Sequence, residues 1–161
     1  MGGGHGSWRA LDALVTRLKT IKGSPQFWTD VGNRVYTRAW NPDDDSCPKM
    51  PYLSVLLDLP EGRLDFDEGT VVRDAFRVTV AGYVAESSVS HAKATAVERA
   101  LKLKDDIVKA LLADWKLGGA VANSTIASWD AAAGDDPDLP YGELVMVIEL
   151  HLHLAEDGLG P

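Results

Sequence analysis

Glu143-Leu144-Val145-Met146-Val147-Ile148-Glu149-Leu150-His151-Leu152-His153-Leu154-Ala155 alternates with a period of two. Leu144, Met146, Ile148, Leu150, Leu152 and Leu154 fall on one side, and Val145, Val147, Glu149, His151 and His153 on the other. Successive side chains of a β-strand point to opposite faces, so the run predicts a long strand with one face in a core and a second face left for polar or interface contacts.

Upstream of it the pattern changes twice. Residues 71–87 alternate in the same way, with Phe76, Val78 and Val80 against Arg77, Thr79 and Ala81, and Gly82 marks an expected bend or bulge. Between the two runs the period lengthens. Val97, Ala100, Leu101, Ile107, Val108, Leu111, Leu112 and Trp115 recur at helical spacing, with Ser88 or Ser90 as the cap and Gly118-Gly119 as the stop. Glu98 precedes Lys102, and Asp105 precedes Lys109, by four residues, the orientation that supports an exposed helical face.

Earlier still, Ser7 is placed to cap a helix whose buried stripe is Trp8, Leu11, Leu14, Val15, Leu18 and Ile21. That helix is expected to stop near Lys22, with Gly23 in the left-handed position beyond it. Strands are expected over 34–39, over 52–57, and over 124–129. Residues 41–51, 58–70 and 130–140 carry clustered Pro, Gly and Asp and predict exposed connections. The order of elements predicts an α+β fold: a two-layer sandwich with two helices packed on one face of an about five-stranded, mainly antiparallel sheet. Residues 1–6 read as a flexible glycine-rich tail, and 7–161 as a single domain. The strands over 71–87 and 143–155 exceed the usual five or six residues, so their ends are expected to project beyond the helix-covered core.

Composition narrows the function. The chain has 161 residues, 45% of them hydrophobic, enough for one domain with a genuine core. A net charge of −8 argues against a broad electrostatic grip on nucleic acid, which needs an excess of Lys and Arg on one face. Cys47 is the only cysteine, so there is no intramolecular disulfide, and a reducing compartment fits. No stretch offers the roughly 20 apolar residues of a membrane span, and the start lacks the apolar core of a signal peptide, so a soluble, untargeted protein is expected.

No catalytic signature stands out. Glu149, His151 and His153 share one strand face and could in principle offer three ligands to a divalent metal. The other histidines, His5 and His91, lie far away in the chain, so the polar side of an amphipathic strand is the better reading and no metal site is assigned. Asp43, Asp44 and Asp45 are contiguous, and Asp65, Asp67 and Gly69 match only a fragment of a calcium loop; both read as solvated charge. The glycines near the start follow no strand and lack the GxxxxGK[ST] pattern, Cys47 has no histidine nearby in sequence to activate it, and no serine sits in a GxSxG elbow. No cofactor is implied, and a non-enzymatic role is expected.

Five phrases, taken in order, carry a resemblance. They are Leu11-Asp12-Ala13-Leu14-Val15, Pro51-Tyr52-Leu53-Ser54-Val55, Phe76-Arg77-Val78-Thr79-Val80, Lys109-Ala110-Leu111-Leu112-Ala113-Asp114 with the following Leu117-Gly118-Gly119, and Val145-Met146-Val147-Ile148-Glu149-Leu150. In this succession the chain resembles the tail terminator proteins of long-tailed bacteriophages, from Trp8 to Ala155. The resemblance implies a virion protein, assembled in the host cytoplasm, that forms a ring, usually of six subunits, on the last ring of tail-tube protein. Such a ring stops tube polymerisation and joins the tail to the head connector. DNA passes through its channel without specific binding, and six acidic copies would repel phosphates from the wall.

On that reading the expected contacts to tube or neighbouring subunits lie in residues 41–50 (Asp43, Asp44, Asp45) and 58–73 (Arg63, Asp65, Asp67, Arg73). The polar face of the last strand (Glu149, His151, His153) is the expected subunit edge or lumen wall. The tail at 1–6 and the loop at 130–140 have no counterpart in the family pattern. Three alternatives stay open: a head-completion or connector ring protein, a small metal-dependent enzyme using His151 and His153, and a ligand-binding α+β domain.

Overall fold

The structure, a computed structural model, describes residues 6–40, 42, 44–66, 71–85, 95–133 and 141–155, with 57–66, 71–73 and 153–155 described as backbone. Its elements are helix α1 (Gly6–Leu18) and strands β1 (Val35–Tyr36), β2 (Tyr52–Phe66) and β3 (Val71–Ala85). Helix α2 (Ala96–Ala113), a 3-10 turn (Leu117–Gly119) and strands β4 (Asn123–Ala133) and β5 (Tyr141–Ala155) follow. One five-stranded sheet runs in the order β1-β2-β3-β5-β4, parallel only between β1 and β2. It is the expected α+β sandwich, with a mixed, mainly antiparallel sheet and two helices.

The inner face of β5 is the core, as its alternation requires. Leu144, Met146, Ile148, Leu150 and Leu152 are buried, and they face Leu14, Leu18, Leu103, Ile107 and Leu111 within one apolar cluster. Phe76, Val78 and Val80 of β3, with Leu53 and Val55 of β2, extend that face across the sheet.

α2 sits unusually close to the sheet because two glycines make room. A Cβ on Gly82 would stand 2.6 Å from the Leu103 side chain and 2.9 Å from that of Leu53. A Cβ on Gly142 would stand 2.9 Å from the Ala100 backbone nitrogen and closer still to the Ala96 carbonyl oxygen. Gly82 therefore keeps both ladders in register, opposite Leu53 and Leu144, and marks a packing hole rather than the expected bend or bulge.

Both helices depart from the expected stripes by rotation. In α1 the buried positions are Ala10, Leu14 and Leu18, while Trp8 is 65% exposed. At 3.6 residues per turn Trp8 lies about 120° round the helix from Leu14. The α-helix ends at Leu18 and not near Lys22. Amides of Thr20 and Ile21 donate to the carbonyls three residues back, and the Thr20 hydroxyl donates to the Arg17 carbonyl at 2.6 Å, which tightens the last turn out of α geometry. Ser7 lies inside the helix instead of capping it. Gly23 does take the left-handed conformation (φ 79°).

In α2 the buried residues include Ala100, Leu103, Ile107, Ala110 and Leu111. Leu112 is 72% exposed, about 140° round from Ile107, and Val97 and Trp115 are exposed as well. The cap is Thr95, whose Oγ1 accepts from the Glu98 amide at 3.2 Å; Ser88 and Ser90 lie outside the described residues. The helix ends at Asp114, whose carboxylate accepts from the Gly118 amide at 2.8 Å. Leu117, Gly118 and Gly119 follow with φ of 49°, 67° and 87°, so the glycine pair shapes the turn after the helix rather than its last residue.

The segment between α1 and β1 is bolted to α2. Asp106, 2% exposed, accepts from the Trp28 and Thr29 amides at 3.0 and 2.7 Å and from the Thr29 hydroxyl at 2.6 Å. Burial pushes its pKa above the usual carboxylate range, against these hydrogen bonds, which pull the other way. Arg17 Nε reaches the Ala110 carbonyl at 2.6 Å.

The strands are longer than the turn residues suggested. β1 shrinks to two residues, but β2 continues through residues 58–66, so most of the expected connection over 58–70 is a strand paired with β3, and residues 67–70 lie outside the described residues. Four residues of β2, including Pro60, intervene between the pairs Leu56↔Thr79 and Glu61↔Arg77. Proline cannot donate to a ladder, and the irregularity accommodates it. β4 likewise runs past Trp129 to Ala133, with one bulged residue, Ala127, between the pairs Ile126↔Ile148 and Ser128↔Val147. Residues 134–140 lie outside the described residues.

Gly142→Ala is expected to destabilise the fold by about 1–3 kcal/mol, because the new methyl meets helix backbone that cannot rotate away. Urea unfolding measures it, and an unchanged midpoint would show that the α2 seat is not tight.

Candidate functional site

The helices cover one face of the sheet, so the other face is where an ordered set of polar side chains can meet a partner. Alternation in β3 and β5 sends Thr79, Arg77, Ala75, Val147, Glu149 and His151 to this outer side. Register then aligns residues of four strands. Glu61, Arg77, Glu149 and Thr125 stand opposite one another, as do Arg63, Ala75, His151 and Asn123. Asp65 is paired with Arg73, and Arg73 with His153.

The six expected contact residues Arg63, Asp65, Arg73, Glu149, His151 and His153, distant in sequence, thus fall on adjacent positions at one end of the sheet. For Arg63, Asp65, Arg73 and His153 this placement is one of backbone. Asp44 and Asp45 lie elsewhere, exposed on the connection before β2, where the Cys47 amide donates to the Asp44 carbonyl at 3.0 Å. Asp43 and Asp67 lie outside the described residues.

The centre of the outer patch is Glu149. Arg77 Nε donates to its Oε2 at 2.9 Å, and His151 Nε2 stands 2.8 Å from its Oε1. The hydrogen bond from Arg77 holds the carboxyl below the usual carboxylate range, with the His151 charge and hydrogen bond adding to the effect. Both oxygens are engaged, one of them by a guanidinium, and a fixed positive charge there opposes a divalent cation. Among the described residues no group of three or more His, Cys, Asp and Glu is placed to hold a metal.

Toward the opposite end of the sheet the outer face turns aromatic. Trp40, Tyr36, Tyr52, Tyr83 and Tyr141 form a continuous ribbon, with successive ring centroids 6.1, 6.4, 5.0 and 5.9 Å apart, crossing β1, β2, β3 and β5. Burial, reinforced by the Glu143 charge, pushes the Tyr83 hydroxyl pKa up. The ribbon knits four strands on the side that, among the described residues, has no helix.

A third feature escaped the sequence reading. Between the C-terminal half of α2 and β4 lies an apolar cleft of about 250 Å³ lined by Val108, Leu111, Leu112, Trp115, Ser124, Thr125 and Ile126. Helical spacing puts Leu112 and Trp115 in the buried stripe, but the apolar positions of α2 spread over more of the helix circumference than one core needs. No protein-family model matches the chain, and no curated protein matches it.

Arg77→Ala is expected to raise the Glu149 pKa toward the ordinary carboxylate value, and His151→Ala to raise it less. Because the folded pKa lies below the unfolded one, the stabilisation is complete above the unfolded carboxylate range and is lost as pH falls through the folded value. The variant should therefore lose part of the acid-side slope of stability. Carboxyl NMR titration reads the pKa directly, and an unmoved Glu149 would remove Arg77 as its partner.

Proposed function

We propose that this chain is a structural subunit of a bacteriophage tail, a terminator-type protein that forms a ring on the end of the tail tube, stops its growth and joins the tail to the head connector. The observation that carries the reading is the succession of phrases from Trp8 to Ala155 that resembles the terminator family. Its supporting geometry is the outer face of the sheet, where charged residues of β2, β3 and β5 converge in register at one end.

The physical logic is that of a heterologous ring. Each copy needs two different lateral surfaces, and a rotation that returns to its start closes the circle. A two-layer fold with one helix-free face and long strands supplies such surfaces without a separate interaction domain. The net charge of −8 per copy suits a channel along which DNA slides without sticking.

Native mass spectrometry of the protein alone and mixed with the tail-tube protein, with negative-stain images, tests this. A closed ring or a capped tube is expected; a chain that stays monomeric and leaves tube length unchanged would overturn the reading. Asp44→Lys with Asp45→Lys, both on the exposed connection, should keep the thermal unfolding midpoint near that of the parent and weaken assembly on the tube. Full assembly of that variant would take the connection out of the interface.

A further inference from the structure

Among the described residues β4 is a free margin of the sheet: it pairs with β5 on one side, and the order β1-β2-β3-β5-β4 ends with it. An unpaired edge presents a row of backbone donors and acceptors, and proteins that must stay apart guard such edges with lysine, proline or very short strands. β4 has eleven residues, contains no Lys, Arg or Pro, and exposes Thr125, Ala127, Ser128, Trp129, Ala132 and Ala133, with Asp130 the one charged residue on it. The bulge at Ala127 is its only irregularity.

Beside this edge runs the apolar cleft, with Leu112 and Trp115 exposed in its lining, and Trp129 is exposed farther along β4. Lys104 lies 4.9 Å from the Trp129 ring and Lys116 lies 5.0 Å from the Trp115 ring. An edge strand next to an apolar groove is the arrangement that accepts an added strand, with main-chain hydrogen bonds for affinity and pockets for alternate side chains.

The chain carries a matching segment on its opposite margin. β1 pairs with β2 only at Leu53 and Ser54, so among the described residues the other edge of β2 is unpaired from Val55 to Phe66. Its regular part, Glu61-Gly62-Arg63-Leu64-Asp65-Phe66, alternates apolar with charged residues. With Asp58 the stretch carries three acids against one arginine, a balance that suits Lys116, while Lys104 is already paired with Asp105 at 2.5 Å. β2 and β4 also run in opposite senses in the sheet, so a copy that continued the sheet would present its β2 antiparallel to β4.

From these observations we infer that the β4 edge and its cleft receive the outer β2 edge of a second copy of this chain. The inference rests on the ring reading and identifies the lateral contact by which the ring closes. The two margins are different surfaces, so the pairing is heterologous and propagates round a ring instead of stopping at a dimer.

The test uses the full chain with a benzoylphenylalanine photo-cross-linker in place of Thr125, as an equimolar mixture of light and 15N-labelled protein, alone and with tail-tube protein. Irradiation is expected to give mixed-isotope links to residues 55–66. Intermolecular links confined to other segments, or none, would overturn the pairing. Ser128→Lys with Ala132→Lys places the missing charges on the edge. With circular dichroism unchanged, it should abolish the oligomer and the 55–66 links, and an oligomer that survives it also overturns the pairing. A ring whose links avoid β4 leaves the terminator reading standing without this contact; a chain that neither self-associates nor binds the tube removes both.

Discussion

The close approach of α2 to β3 and β5 is the constraint on which the rest of the molecule depends. Gly82 and Gly142 leave the space of a side chain under the helix, and Leu103 and the Ala96–Ala100 turn occupy it. With α2 seated, Asp106 and Ala110 become fixed acceptors. The first anchors Trp28 and Thr29, and the second anchors Arg17 at the end of α1. The connection from α1 to β1 is therefore held by hydrogen bonds to a helix, in a position where its own sequence forms no regular element. Removing the acceptor at Asp106 would leave two amides and a hydroxyl unpaired in or near the core, each costing about 1–3 kcal/mol.

Alternation made the sheet legible where the residues were apolar and hid it where they were not. The inner positions of β5 and β3 could be read directly, because burial on one face leaves a strict period of two. β2 was read as ending near Leu57 because Pro60, Gly62 and Gly69 are turn residues by local chemistry, yet the ladder to β3 carries the strand past them after one irregularity. What overrides the local preference is the neighbouring strand, which supplies a partner for every residue from Glu61 to Phe66. β4 was underestimated for a similar reason: its Ala and Ser residues have weak β preference, and pairing with β5 decides the matter.

The helices were legible in existence and less so in orientation. A helix with apolar residues over more than half its circumference has two candidate stripes, and the period cannot choose between them. In α2 the choice is made by Gly82 and Gly142, which are not in the helix at all. The outcome puts Leu103 inside and leaves Leu112 and Trp115 on the surface beside β4. For the outer face, the sequence supplied the polar side of β5, but which residues of other strands join Glu149, His151 and His153 is a matter of register. That information is held in the pairing of β2 with β3 and of β3 with β5, which brings Arg77, Arg73 and Arg63 alongside.

A two-layer fold with helices on one side has to settle the fate of its second face and of two sheet margins. Here aromatic rings knit the second face near β1, and its other end presents the Arg77–Glu149–His151 cluster. The margins are not settled in this way. β1 covers two residues of β2, and β4 presents an edge of small side chains next to exposed leucine and tryptophan. Edges of that kind promote association, and selection against unwanted association ordinarily places lysine or proline there. In a chain where one in four residues is charged, the absence of Lys, Arg and Pro from all eleven positions of β4 is a cost to a monomer and an asset to a subunit. On the proposed reading, association uses the margins of the sheet, where backbone donors and acceptors are left without a strand among the described residues.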